Sequence, residues 1–111
     1  IHSITRLYLD GRFNNFVYQY YTRNMEQFQQ YKNPADFAAR FNNGDDAWNG
    51  LVQFAAKDSI NLRNVPADDR KEVQERIKAY LARFRWRTQG YYQVLNTTDE
   101  MVQKALEVIR G

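Results

Sequence analysis

The stretch Ile77 to Asn96, IKAYLARFRWRTQGYYQVLN, constrains this chain more than any other, because it joins the most helical sequence to the densest aromatic and basic patch. At about 100° per residue, Val73, Ile77, Tyr80, Leu81 and Phe84 fall on one apolar stripe of a helix, while Ala79, Ala82 and Trp86 occupy the far side. A helix that is apolar on two sides needs neighbours on both, which places it in the middle of a domain. The expected fold is therefore all-α, a single-domain bundle of about five to six helices around a central helix near residues 66–88. Trp86, beside the small residues Ala79 and Ala82, is expected to anchor a helix that approaches closely.

With 111 residues the chain is long enough to bury a core without disulfides or metals. The eight Tyr and seven Phe supply core material even though many Gln, Asn and Arg lower the mean hydropathy. This composition excludes a disordered chain. Residues 1–111 are expected to form one helical domain, and the opening Ile-His-Ser-Ile, without an initiator Met or a helix cap, reads as a fragment of a longer protein.

Upstream of the central helix, Phe13, Phe16, Val17, Tyr20, Tyr21, Phe28 and Tyr31 share one arc, which predicts an amphipathic helix of about five turns from Arg12 to Tyr31. Asn24 is the one polar residue in that arc. A short opening helix is expected to end near Asp10-Gly11. Asn33-Pro34 caps and starts another helix, with Phe37 and Phe41 facing inward. Asn42-Asn43-Gly44 is a break, after which Asp45 or Asp46 can cap a helix carrying Trp48, Leu51, Val52 and Ala55 to about Asp58. Pro66, Asp68 and Asp69 suit the dipole at the start of the central helix. Gly90 is expected to end or kink it, with Tyr91 to Leu95 either helical or extended. Thr97 and Glu100 form a capping box for a last helix with Val102, Ala105, Leu106 and Ile109 inside.

The inventory of reactive groups is thin. There is no cysteine, and the only serines and histidine are Ser3, Ser59 and His2. No Ser-His-acid triad can be assembled; a Ser and Lys pairing stays open by sequence, but Ser59 lacks the neighbouring glycines of an oxyanion hole, so no catalytic residue is assigned. Asp45-Asp46 and Asp68-Asp69 are explained by helix starts and match neither a calcium loop nor a zinc site. No metal or cofactor is expected. No apolar run reaches the roughly 20 residues that span a bilayer, so no membrane partner is expected.

Arg76, Arg83, Arg85 and Arg87, close to Trp86, Tyr91 and Tyr92, form a candidate basic patch of the kind that pairs phosphates and stacks bases. A net charge of +3 and the alternation of these aromatics between faces favour the plainer reading, in which arginine stems cover the edge of the core. The aromatic helix carries more apolar surface than its neighbours can cover. Phe13, Phe16, Tyr18, Tyr20, Tyr21 and Met25 are therefore expected to contribute an interface, either to the rest of a parent protein or to a second copy, the plainer alternative being that they fill an ordinary core.

The end of the chain, IKAYLARFRWRTQGYYQVLNTTDEMVQKALEVI, resembles the C-terminal tail of bacterial carboxyl-terminal processing (tail-specific) serine peptidases. The similarity rests on Ala82, Arg83 and Trp86, then Tyr92, Val94 and Asn96 in an aromatic-x-Val-x-Asn segment, then Asp99 with Ala105-Leu106. The Phe-rich helix ending near Asn24, with Tyr31, Phe37 and Phe41, is similar to the segment that follows the catalytic core in that family. The resemblance implies a periplasmic or cell-envelope parent enzyme with a Ser/Lys dyad and a peptide-capturing PDZ-type domain, neither of which is in this chain. This chain would then be a non-catalytic domain that packs on the protease core or shapes substrate access. The alternative is an independent helical binding module for a protein or nucleic-acid partner.

Overall fold

The computed structural model describes the backbone of residues 3–41 and 44–110, and the side chains of residues 6–9, 11–41 and 45–96. Within these, all regular structure is helical: α1 (Ser3–Tyr8), a 3-10 turn (Leu9–Gly11), α2 (Arg12–Arg23), α3 (Met25–Phe28), α4 (Pro34–Arg40), α5 (Gly44–Ala56) and α6 (Ala67–Arg110). The body measures 44 × 36 × 21 Å. Its short dimension is two helix diameters, so most helices have one face in the core and one in water. Asn42, Asn43, His2 and the side chains of Ile4, Thr97, Glu100, Val102, Ala105, Leu106 and Ile109 lie outside the described residues.

Helix α6 is the centre, in contact with α2, α4 and α5. Val73, Ile77 and Leu81 are buried on one side of it, and Ala79 and Ala82 on the other. The two alanines allow close approach on the second side, where α4 brings Phe37 to 5.7 Å from Trp86, ring to ring. Trp86 itself is only half-buried; the fully buried anchor of that contact is Phe37. Lys78 crosses to α4 as well and donates to the Ala38 carbonyl at 2.6 Å, satisfying one of the carbonyls that the end of α4 leaves open.

Three boundaries differ from the expected pattern. The aromatic helix does not run unbroken from Arg12 to Tyr31, because it stops at Asn24 (φ −119°, ψ 22°) and restarts as α3. The Asn24 amide donates to the Tyr20 carbonyl at 2.8 Å, a local bond that competes with the helical ladder and answers the hydrogen-bonding need of a polar group on the apolar face. The first limb of α6 ends at Arg87, as expected of a central helix near residues 66–88, but Gly90 does not make the break. The break is at Arg87 (φ 64°, ψ −156°), and α6 continues beyond it to Arg110, so Thr97 and Glu100 start no separate helix.

At Arg87 the chain folds back sharply. Tyr80 and Tyr91 would be about 16 Å apart along a straight helix, yet their ring centroids are 5.8 Å apart. Gly90 is buried where the second limb crosses the first. A Cβ at that position would meet the Ala82 carbonyl oxygen at 2.7 Å and the Trp86 Cβ at 2.8 Å. Glycine is thus required by proximity, while the torsional demand falls on Arg87, in a region of backbone space that is almost exclusive to glycine and costs about 1–3 kcal/mol.

Side-chain chemistry closes the remaining ends. Asn33 accepts from the Asp36 N–H at 2.8 Å, and Asp36 accepts from the Lys32 N–H at 2.9 Å. Arg40 then grips Asp36 with two bonds of 2.7 and 2.9 Å, donates to the Gln30 carbonyl and lies over the Tyr31 ring. The Arg40 guanidinium, followed by the Lys32 N–H, holds the Asp36 carboxyl below its ordinary value. A carboxyl with a depressed folded value adds stability above its unfolded value of about 3.9, and that stability is lost as pH falls through the folded value. The Asp36→Asn variant is accordingly expected to be less stable than the parent at pH 7, with the gap narrowing below about pH 4 in thermal melts. A gap that widens on acidification would refute this clamp.

Helix α5 ends in a Schellman motif: the Ile60 N–H bonds the Ala55 carbonyl and the Ser59 N–H bonds the Ala56 carbonyl, both at 3.0 Å. Ser59 takes the left-handed position (φ 62°) and Ile60 is buried behind it. Since glycine adopts that conformation without a Cβ penalty, Ser59→Gly is expected to stabilise the domain by about 1 kcal/mol in denaturant titrations. A loss of stability would show that the serine hydroxyl has a role other than the cap.

Candidate interaction surface

Helix α2 presents its apolar arc to α6 and α5, and this decides which of its aromatics remain available. Phe13, Phe16 and Tyr20 are 2%, 6% and 9% exposed and belong to the domain's own core, which corrects their assignment to an interface. Phe13 packs edge-on against Tyr8 and Tyr80, and Phe16 against Phe54 of α5. Tyr20 reaches the domain edge, where its hydroxyl donates to Asp46 at 2.9 Å.

What is left open is the α6-facing edge of α2. Tyr18 is 53% exposed, with its ring edge-on to Phe84 at 5.4 Å, and Tyr21 stacks on the same Phe84 at 5.9 Å. Met25, at the start of α3, is 46% exposed. Phe84 is half-buried beneath the two tyrosines, and Tyr21 passes the contact on to Phe28 at 5.4 Å. The result is an aromatic edge whose outer ring faces water. Tyrosine suits such a position, because it offers large contact area with a polar tip at low entropic cost.

The four candidate arginines do not gather into one ridge. Arg76 pairs with Glu72 at 3.2 Å and lies over the Tyr8 ring, and Arg83 lies over Tyr80 on the same flank. Arg85 lies over Trp86 on the other flank, beside α4, and Arg87 is exposed at the fold-back. Their stems cover aromatic rings at the edge of the core. A continuous phosphate-tracking groove needs its cations on one side, and this arrangement divides them.

Two concavities lie among the described residues. One, of about 280 Å³, is lined by Val52, Ala56, Ser59, Ile60, Leu62 and Arg63. Its serine is the helix cap described above. The other, of about 420 Å³, lies between α2 and α5, with Phe16 and Gly50 along its floor and Arg23, Asn49, Gln53 and Lys57 along its rim. Among the described residues no three His, Cys, Asp or Glu side chains are grouped to hold a metal ion, and no helix is long and apolar enough to cross a membrane. Burial pushes the Tyr8 phenol up to about 12 against the pull of Arg76, so it stays protonated at neutral pH.

Of these features, periodicity identified the helix that carries Tyr18 and Met25 but not which edge of it stays open. The contact that distinguishes them, Tyr18 on Phe84, joins residues far apart in sequence. Residues 3–90 match the model of a family described as a family of unknown function (DUF8443). The match takes in α1 to the fold-back and ends at Gly90. No curated protein and no solved structure matches the chain.

Proposed function

Since the chain belongs to a family of unknown function (DUF8443), we propose its role from its own surface: it is a non-catalytic, all-α docking domain that packs on the catalytic core of a carboxyl-terminal processing serine peptidase or shapes substrate access to it. The observation that supports docking is the exposure of Tyr18, whose ring packs on Phe84 beside Tyr21, and of Met25. The peptidase as partner rests on the resemblance of the C-terminal sequence, through Ala82, Arg83, Trp86, Tyr92, Val94 and Asn96. On this reading the partner is the rest of its parent chain, in the periplasm or cell envelope.

The place of Ser59 as the left-handed cap of α5 supports a structural role for that serine. The division of the basic residues disfavours the nucleic-acid alternative. The test is to read the gene upstream of Ile1 and express the encoded neighbour separately. A serine-peptidase core that binds this domain, with binding weakened at least tenfold by Tyr18→Glu and Met25→Glu while the fold persists, supports the proposal. A different neighbour removes the peptidase, and variants that unfold the domain remove the docking edge.

A further inference from the structure

The fold-back at Arg87 places one residue in a conformation that its neighbours do not share. Residues on both sides are helical, and the exception is Arg87 alone (φ 64°, ψ −156°). Arginine is a good helix former and a poor occupant of that region, so local preference favours straightening the hinge. The two limbs would then form one uninterrupted helix of 44 residues, about 66 Å long. That exceeds the 44 Å long dimension of the folded body, and the second limb would leave it.

The second limb, however, carries surface that water does not favour. Val94 is 1% exposed, Gly90 is buried against Ala82, and Tyr91 packs edge-on to Tyr80. A released limb needs an equivalent seat, and the surface shaped to receive it is the Tyr80 ring with the Ala82–Trp86 turn of another copy of the same chain. Every contact across the crossing would be remade, and the torsional cost at Arg87 would be relieved twice per dimer.

We propose that two copies of this chain exchange the limb that follows Arg87, so that the occupant of the Tyr80–Ala82 seat in the dimer is the partner's residues 88–96. The hinge residue sets the balance between closed monomer and exchanged dimer. Arg87→Gly relaxes the fold-back and favours the monomer. Arg87→Ala keeps the cost of the fold-back, favours the straight helix and promotes exchange.

The experiment uses the full chain, refolded from denaturant at high protein concentration and followed by sedimentation. The dimer fraction is expected to rise in the order Arg87→Gly, parent, Arg87→Ala, with at least a tenfold difference in dissociation constant between the two variants. Because the chain has no cysteine, Y80C and Y91C can be added to the Arg87→Ala chain and oxidised in the isolated dimer. Disulfides between chains are the expected result. Equal dimer fractions in the two hinge variants, or disulfides confined within single chains of the dimer, would overturn the exchange.

Discussion

Phe37→Ala is expected to destabilise the domain by about 3–5 kcal/mol, the largest effect of any single truncation considered for this fold. Phe37 is fully buried, and its ring meets Phe28 at 6.0 Å, Tyr31 at 5.2 Å, Phe41 at 4.8 Å and Trp86 at 5.7 Å. It thereby joins α3, the loop before α4, α4 itself and the second side of α6. Four aromatic rings cannot collapse into the space without dismantling contacts of their own. For a domain of this size the loss corresponds to a melting temperature lowered by at least about 12 °C. A shift of only a few degrees would mean that α4 is not seated on α6 through this residue.

Gly90→Ala carries the second large effect, with a sign opposite to helix propensity. An alanine inside a helix ordinarily gains up to about 1 kcal/mol over glycine. Here the new methyl would lie 2.7 Å from a backbone carbonyl oxygen and 2.8 Å from the Trp86 Cβ, neither of which is the free end of a flexible side chain. Relief requires the limbs of α6 to separate, and a net loss of about 1–3 kcal/mol is expected. Gly50 supplies the internal comparison, because a Cβ there meets only the Phe16 ring at 3.4 Å. Propensity should prevail at that site, and Gly50→Ala is expected to be neutral or mildly stabilising in the same denaturant titration. If both substitutions stabilise, the limbs do not cross at Gly90.

The contrast between those glycines also shows how far the sequence discloses the fold. Helical class, the central position of α6 and the small-residue side at Ala79 and Ala82 follow from periodicity, which is a local property. The break at Asn33-Pro34 and the stop at Asp10-Gly11 follow from turn chemistry, equally local. The fold-back does not. Its strained residue is an arginine within a run of good helix formers, and the glycine three positions later marks the crossing rather than the turn. Tertiary packing of Tyr91 and Val94 outweighs the preference of Arg87, and no signal at position 87 announces it. Asn24 is an intermediate case: its polarity within an apolar arc was visible, but the bond to the Tyr20 carbonyl that ends the helix there was not.

Legibility of the candidate surface divides in the same way. The arc of α2 was readable as apolar, and all six proposed interface residues lie in or beside it. Burial then separates Phe13, Phe16 and Tyr20, which are enclosed in the core, from Tyr18 and Met25, which stay exposed at its edge. Charge spacing places Arg76, Arg83 and Arg87 on one flank of a straight helix, and the break at Arg87 takes the third out of that row. The spacing does not show that the Arg76 guanidinium settles over Tyr8, because that ring arrives from α1.

The two tryptophans occupy unlike settings, and this makes the molecule its own optical probe. Trp48 is almost wholly enclosed under the Arg70 guanidinium, near the junction of α5 with the start of α6. Trp86 is half-open to water, one residue before the fold-back and against Phe37. Their emission should differ in colour and in access to a dissolved quencher, with the indole at position 86 the redder and more readily quenched. Each therefore reports on a separate end of the central helix, and the light from one can change while the other stays constant.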